Sequence, residues 1–273
     1  MSAIRASFGA LSTSLGVSVA HTKEEVSAKG VRAVWFVPEG ITGTTVVLFM
    51  HGGGYVACSP ETHASIVTQI GRRLGAKVLS VDYGLAPETR FPGQIEDCLA
   101  VYEWLVEQGV KPERIVFAGE SAGGALCVTT QLFAKTRQLP TPAAAYLMSP
   151  WLDLEASGQS YEKTSNDLTS RDGMGLFRGM YLGSRAMDRG NELMSPLAAS
   201  LRGLAPMFVQ VGEDERLLDD ARRLAANAKR DGVAVELDVV PHMRHLFQMN
   251  VGEMPEAGEA VDRGVAFLGL FVK

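Results

Sequence analysis

Short apolar runs alternate along the chain with longer segments in which apolar and polar residues mix at helical spacing. The short runs lie at residues 31–37, 45–50, 77–82, 114–119, 143–148, 207–211 and 233–240. The helix-length segments lie at residues 62–74, 93–108, 122–136, 217–231 and 255–271. Several of the short runs are apolar at every position, which is typical of parallel strands covered on both faces. The alternation therefore predicts an α/β fold, with a mostly parallel central sheet covered by helices on both faces.

Residues 154–204 interrupt this alternation. The segment is polar, contains several methionines and has no convincing strand, although it lies between two predicted core strands. Structureless loops longer than about 15 residues are uncommon in compact domains, so we expect a helical insertion. The chain of 273 residues is then one core with a modest appendage, because α/β folds reach about 200–250 residues as a single unit.

Charge and cysteine content exclude several functions. The formal net charge is −5 and the chain has no run of Lys or Arg, so no nucleic-acid partner is expected. The three cysteines, Cys58, Cys98 and Cys127, are widely spaced and form no C-x-x-C pair, so we expect neither a metal site nor a redox site. They are typical of the reduced thiols of a cytoplasmic protein.

Two further features concern membranes and export. No apolar run reaches 18 residues, so we expect no membrane-spanning segment. The first twenty residues loosely imitate a secretion signal, but Ser12, Thr13, Ser14 and Ser18 interrupt their apolar stretch. We therefore expect a cytoplasmic location.

Residues 119–123 read Gly-Glu-Ser-Ala-Gly and have the G-x-S-x-G form. They directly follow a predicted strand and precede a predicted helix, which is the context of a nucleophile elbow. In such a turn the serine hydroxyl projects above the sheet, and side chains at the two glycines would collide with neighbouring elements. A bare G-x-S-x-G is more often an ordinary turn serine, but this context makes Ser121 the predicted nucleophile.

A second motif, His-Gly-Gly-Gly-Tyr at residues 51–55, follows the strand predicted at 45–50. Acyl transfer develops negative charge on the former carbonyl oxygen, and each backbone N–H group aimed at that oxygen stabilises the transition state by about 3–4 kcal/mol. We assign this oxyanion hole to the N–H groups of Gly52, Gly53 and Ala122. A phosphate cradle is the alternative, but no Gly-Lys-Ser/Thr follows the glycines.

The order of residues limits the choice of base and acid. Enzymes with this elbow place the acid and then the histidine after the serine, each on a loop beyond a strand. Only His242 and His245 follow Ser121, both just beyond the last predicted strand. The acid is expected after the preceding strand, where Asp214 is the first aspartate. Spacing alone leaves Glu213 open and does not decide between the two histidines.

Taken together, these motifs resemble the bacterial hormone-sensitive-lipase family of esterases, which have the α/β-hydrolase fold. The resemblance covers the chain from residue 31 onward, with motifs at residues 51–55, 82–88, 119–123, 149–153, 212–220 and 245–248. By this resemblance Asp214, which heads an Asp-x-x-Leu segment, is the acid, and His245, which precedes Leu-Phe-Gln, is the base. Gly84 departs from the family, which commonly has Arg there, and the N-terminal segment is short. Both departures leave the size of the substrate open.

The resemblance also implies a domain organisation. A catalytic core would consist of residues 31–153 and 205–273. Residues 1–30 and 154–204 would form a helical cap over the active site.

The implied function is that of a serine carboxylesterase, which hydrolyses short-acyl esters through an acyl-enzyme and needs no metal or organic cofactor. Amide or thioester hydrolysis is a rival, because fold and triad do not specify the leaving group. A non-catalytic binding protein is a second rival, which the presence of Ser121, Asp214 and His245 disfavours. An exposed sheet edge or the last helix is a candidate interface for a homodimer.

Overall fold

One sheet of eight strands organises the computed structural model, which describes residues 1–162 and 167–272. The strands are β1 (His21–Ala28), β2 (Val31–Pro38), β3 (Val46–Met50), β4 (Lys77–Val81), β5 (Ile115–Glu120), β6 (Ala144–Met148), β7 (Met207–Gly212) and β8 (Val235–Val240). Their order is β1-β2-β4-β3-β5-β6-β7-β8. The pairs β1·β2 and β2·β4 are antiparallel, and the other pairs are parallel. The predicted α/β fold with a mostly parallel sheet is confirmed.

Helices cover both faces of this sheet. They are α1 (Ser2–Thr13), α2 (Ala64–Leu74), α3 (Gly93–Glu107), α4 (Ala122–Thr136), α5 (Arg171–Leu182), α6 (Leu218–Arg230) and α7 (Pro255–Gly269). Buried residues of α3, α4 and α6 form one apolar core with the sheet, and those of α2 and α7 form a second. Neighbouring strand residues such as Val47 and Leu48 therefore enter different cores, which is why the strands are apolar at every position. None of the described helices is long and apolar enough to cross a bilayer.

The edge strand β1 corrects the predicted domain boundary. Residues 1–30 were expected in the cap, but His21–Ala28 pair with β2 along their whole length and extend the sheet. An edge strand bonds to a neighbour on one side only, and most residues of β1 are exposed or half-buried. Its sequence, His-Thr-Lys-Glu-Glu-Val-Ser-Ala, therefore lacks the apolar pattern by which the other strands were predicted.

Two helices lie above the carboxyl ends of the strands and are called the cap here: α1 and α5. Helix α5 lies within the segment predicted as an insertion, and α1 lies within the N-terminal segment. The two helices meet through Phe8 and Phe177, whose ring centroids are 5.4 Å apart. The part of the cap expected at residues 163–166 lies outside the described residues.

A single arginine attaches α1 to the loops beneath it. Arg5 donates hydrogen bonds to the carbonyl oxygens of Val56 (2.9 Å) and Ala86 (3.1 Å) and pairs with the carboxylate of Glu88. These loops follow β3 and β4, so α1 is fixed directly beside the glycine-rich motif at residues 51–55.

Candidate active site

Ser121 occupies the sharp turn between β5 and α4. Its backbone has φ 54° and ψ −119°, a combination that non-glycine residues rarely adopt and that costs about 1–3 kcal/mol. Its N–H donates to the carbonyl oxygen of Met148 at 2.9 Å, which helps to hold the turn. A Cβ atom at position 123 would overlap the carbonyl oxygen of Met50, so only glycine fits there. The turn directs the serine hydroxyl toward the loop after β8.

His245 lies in that loop, and its ring contacts the serine. Its Nε2 atom is 3.1 Å from Ser121 Oγ. The loop is held by a residue of the segment that precedes α5, because the N–H of His245 donates to Asp167 Oδ1 at 3.1 Å. The other oxygen of Asp167 accepts from the N–H of Arg216 and from the hydroxyl of Thr169.

The carboxylate that contacts His245 belongs to Glu215. Its Oε2 atom is 3.0 Å from His245 Nδ1. Its Oε1 atom accepts two hydrogen bonds of 2.7 Å, from the N–H of Gly212 and from the hydroxyl of Ser149. The Glu215 side chain has no exposed surface, so these bonds replace the water that it loses on folding.

The sequence prediction of Asp214 as this acid is therefore corrected. Asp214 is half-buried, and its backbone N–H donates to the carbonyl oxygen of Met243, whereas its carboxylate does not contact His245. The physical reason is a tight turn after β7, in which the N–H of Glu215 returns to the carbonyl oxygen of Gly212. The fourth residue of this turn, and not the third, thus lies over the strand end.

A sequence signal for Glu215 existed but was ambiguous. The chain has leucine at both 217 and 218, so Asp214 and Glu215 each head an acid-x-x-leucine segment. Spacing could not separate them, and the turn geometry decides. Glu213, the other open alternative, is exposed, and His242 is exposed as well.

Two opposing effects act on the pKa of His245. Burial lowers it, whereas the hydrogen bond and the negative charge of Glu215 raise it. The net pKa lies above the ordinary value for histidine. The hydrogen bond and charge of Glu215 therefore outweigh the effect of burial and favour the protonated imidazole.

The three glycines of residues 52–54 differ in their surroundings. Gly53 and Gly54 line the cavity above Ser121, whereas Gly52 is buried behind them and does not line it. A Cβ atom on Gly52 would overlap the carboxylate of Glu120. Gly54 has φ 62°, and a Cβ atom there would overlap the Phe177 ring of α5.

The predicted oxyanion residues are thus only partly brought together. Gly53 lies on the cavity as expected, and Ala122 is the first residue of α4, where an N–H has no partner within its helix. Gly52 does not reach the cavity surface, and Gly54, which was not predicted, does.

The cavity has a volume of about 290 Å³. Its walls combine the catalytic loops with apolar side chains of the cap, among them Phe8 and Leu11 from α1 and Met174 and Phe177 from α5. Among the described residues, the lining includes no lysine or arginine, and Glu120 is its one carboxylate. The same described residues contain no group of three or more potential metal ligands.

Comparison with known proteins finds relatives over most of the chain. A family model described as the alpha/beta hydrolase fold matches residues 47–249. An acetyl-hydrolase of Streptomyces hygroscopicus is 36% identical over 238 residues, which are 86% of this chain and 79% of that protein. An esterase of Acinetobacter venetianus is 34% identical over 222 residues, covering 81% of this chain and 73% of that protein.

Comparison with solved structures finds proteins of the hormone-sensitive-lipase family. The crystal structure of an esterase from the bacterial hormone-sensitive lipase family superposes with a TM-score of 0.94 at 38% identity, covering 98% of this chain and 91% of that chain. A hormone-sensitive-lipase homologue from a metagenome library superposes with a TM-score of 0.93 at 35% identity, covering 98% and 92% of the two chains.

Proposed function

Because this chain belongs to the hormone-sensitive-lipase family of bacterial esterases with the α/β-hydrolase fold, and is an esterase, we propose that it hydrolyses short-acyl carboxylic esters with a catalytic triad of Ser121, His245 and Glu215. The observation that carries this proposal is the continuous hydrogen-bond path from the serine hydroxyl through the imidazole to a buried carboxylate. This is the arrangement that activates a serine nucleophile.

The reaction proceeds in two halves. Ser121 Oγ attacks the ester carbonyl while His245 Nε2 takes the serine proton, and the same proton then passes to the departing alkoxide. The acyl group remains on the serine as an ester. A water molecule, deprotonated by His245, attacks this acyl-enzyme and releases the carboxylic acid. In this mechanism Glu215 fixes the imidazole tautomer and stabilises the imidazolium.

For the oxyanion we propose the N–H groups of Gly53, Gly54 and Ala122. The two glycines are supported by their position on the cavity above Ser121, and the alanine by its position at the first turn of α4. This replaces the sequence-based assignment of Gly52, whose place behind the loop supports a role in packing against Glu120.

The cavity supports small, neutral substrates. A volume of about 290 Å³ lies at the lower end of ligand pockets, which span about 300–1,000 Å³. The cap side chains Leu11, Met174 and Phe177 favour an apolar acyl group, and a lining without lysine or arginine among the described residues offers no partner for an anionic one. The acetyl-hydrolase name of one relative also supports a short acyl group.

A chain-length series tests this proposal. We expect turnover of p-nitrophenyl acetate and butyrate, weaker turnover of the octanoate and none of the laurate. The Ser121→Ala variant should lose at least about 10⁴-fold in kcat while remaining folded, because the other groups cannot replace the nucleophile. A serine-directed organophosphate should inactivate the wild type and leave no adduct on the variant.

A second substrate series identifies the leaving group. Matched ester, thioester and anilide substrates with one acyl group should be cleaved in that order of preference. Turnover of the anilide alone would replace ester hydrolysis by amide hydrolysis. Saturable binding of every substrate without turnover would contradict the catalytic proposal altogether.

A further inference from the structure

A second buried histidine–carboxylate pair lies directly beneath the glycine loop, and the triad does not use it. Glu120 is the last residue of β5 and precedes the nucleophile in the chain. Its Oε1 atom is 3.0 Å from His63 Nε2, and the two side chains are 5% and 1% exposed. Its Oε2 atom is buried and has no hydrogen-bond partner among the described residues. Such a group is costly to bury unless its charge is balanced.

The hydrogen bonds around His63 locate its protons. The hydroxyl of Thr62 has one proton, which it donates to the carbonyl oxygen of Ser59 at 2.8 Å. The same hydroxyl oxygen lies 2.9 Å from His63 Nδ1, so Nδ1 is the donor of that bond and carries a proton. At the opposite side of the ring, Nε2 faces Glu120 Oε1. Two lone pairs would oppose each other there unless one proton lies between them.

The charge of the pair follows from this proton count. With the proton on nitrogen the pair is imidazolium and carboxylate, and with the proton on oxygen it is imidazole and carboxylic acid. Its net charge is zero in both cases. Without His63, no ion-pair partner among the described residues would balance a negative charge on Glu120.

In the part of the chain that the structure describes, no other ion pair balances the charge of Glu120. Among the described ion pairs, Glu120 contacts His63 and no lysine or arginine. Burial lowers the pKa of His51 to about 3 and raises the pKa of Cys58 to about 11, so both of these nearby groups are neutral at pH 7. The Glu120 carboxylate meanwhile touches Gly52 and lines the cavity in which the oxyanion forms.

We propose that His63 and Glu120 share one proton and form an electrically neutral support under the oxyanion loop, with His63 as a positioning residue that prevents Glu120 from repelling the oxyanion. The inference rests on the proposed ester hydrolysis and deepens it. Glu120 then packs beneath the oxyanion loop, and His63 balances the charge of Glu120.

Three variants test this assignment with p-nitrophenyl butyrate. His63→Gln retains a donor to Glu120 but cannot share the proton, so kcat should fall about 10- to 100-fold while KM changes by less than about threefold. Glu120→Gln leaves a neutral pair and fills the same space beneath the loop, so its loss in kcat should be smaller than that of His63→Gln. The double variant removes the unbalanced charge and should recover most of the loss seen in His63→Gln. His21→Gln, on the edge strand β1 and outside the cavity lining, is the matched control and should behave as wild type.

An equal loss in Glu120→Gln and His63→Gln would overturn the proposal, because the carboxylate would then be needed for its charge. An unchanged His63→Gln, or a double variant no better than the single one, would overturn it as well. A wild type that cleaves no ester would instead refute the proposed function.

A spectroscopic measurement on the wild type covers the case in which His63→Gln does not fold. Nitrogen-15 NMR of the histidine rings at pH 7.5 should show His63 Nδ1 protonated, with a second, exchange-protected proton between Nε2 and Glu120. An unprotonated Nδ1 would overturn the proposal without reference to turnover.

Discussion

A buried carboxylate controls both the orientation and the protonation of His245. Glu215 makes three hydrogen bonds, with the imidazole, with the N–H of Gly212 and with the hydroxyl of Ser149. Its charge opposes the effect of burial, which would otherwise favour the neutral ring. At the residue scale, the proposed mechanism therefore depends on a carboxylate whose side chain has no exposed surface.

Glu215→Gln should lower kcat by about 10²- to 10⁴-fold, because the neutral amide no longer stabilises the imidazolium. Since the charge of Glu215 raises the pKa of His245, its removal should lower that pKa. The ascending limb of the profile of kcat/KM against pH should therefore move to lower pH. The profile, measured from pH 5 to pH 10 with p-nitrophenyl butyrate, checks this shift.

Asp214→Asn is the matched control, since it removes the neighbouring carboxylate from the same turn. It should leave kcat within about threefold of wild type and the position of the limb unchanged. A larger loss in Asp214→Asn than in Glu215→Gln would return the role of the acid to Asp214.

At the scale of elements, α1 forms one wall of the cavity above Ser121 and is attached through Arg5 to the loops beneath it. The ion pair with Glu88 is exposed and contributes at most about 1 kcal/mol. The two bonds to the carbonyl oxygens of Val56 and Ala86 are more sheltered and directional. Phe8, one turn along the helix, then packs on Phe177 of α5.

Arg5→Ala should loosen α1 and weaken the binding of short esters. We expect KM for p-nitrophenyl butyrate to rise about 3- to 10-fold, and the ratio of octanoate to butyrate turnover to increase as the wall retreats. Glu88→Gln removes only the exposed partner and should change neither quantity by more than about twofold. Equal effects of both variants would show that the ion pair, and not the carbonyl contacts, holds the helix.

The strands and the helices of the core could be predicted because each buries apolar residues in a regular pattern. The edge strand β1 and the N-terminal helix α1 could not, since neither has such a pattern: β1 is largely polar, and α1 buries only part of one face against the cavity. The site was predictable as a set of loops, but the choice between neighbouring residues was not. Whether Asp214 or Glu215 contacts His245, and whether Gly52 or Gly54 lines the cavity, depends on backbone turns that spacing does not encode.

At the scale of the whole molecule, a buried aspartate makes stability depend on pH. Asp220 in α6 is fully buried, and its Oδ2 atom accepts from the N–H groups of Leu152 and Asp153 and from the hydroxyl of Tyr161. Burial raises the pKa of Asp220 to about 7. The folded protein therefore holds this proton more tightly than the unfolded chain does, and the resulting stabilisation is present at low pH and is lost as pH rises through about 7.

Asp220→Asn removes this titration. Between pH 5 and pH 8, the free energy of unfolding of the wild type should fall relative to that of the variant, which cannot ionise at this position. Urea unfolding of both proteins at the two pH values measures the difference. Parallel pH dependence of the two proteins would contradict the assignment.

The homodimer expected from the sequence stays a prediction. Both edge strands carry charged residues, Lys23, Glu24 and Glu25 in β1 and Glu236 and Asp238 in β8, which disfavours pairing of sheet edges. If two copies associate, the last helix is the better remaining surface, and sedimentation measures the assembly.

Asp167 connects the cap helix α5 to the loop of His245, because it precedes α5 in the chain and accepts the N–H of His245. A displacement of α5 that moved Asp167 would therefore also break the hydrogen bond that holds the loop of His245. An acyl chain too long for the cavity would displace α5, and His245 would then no longer lie beside Ser121. Such an ester would be bound without being cleaved. On the proposed mechanism, chain length would therefore be limited in two ways, by the volume of the cavity and by the need to keep the bond between Asp167 and the histidine loop.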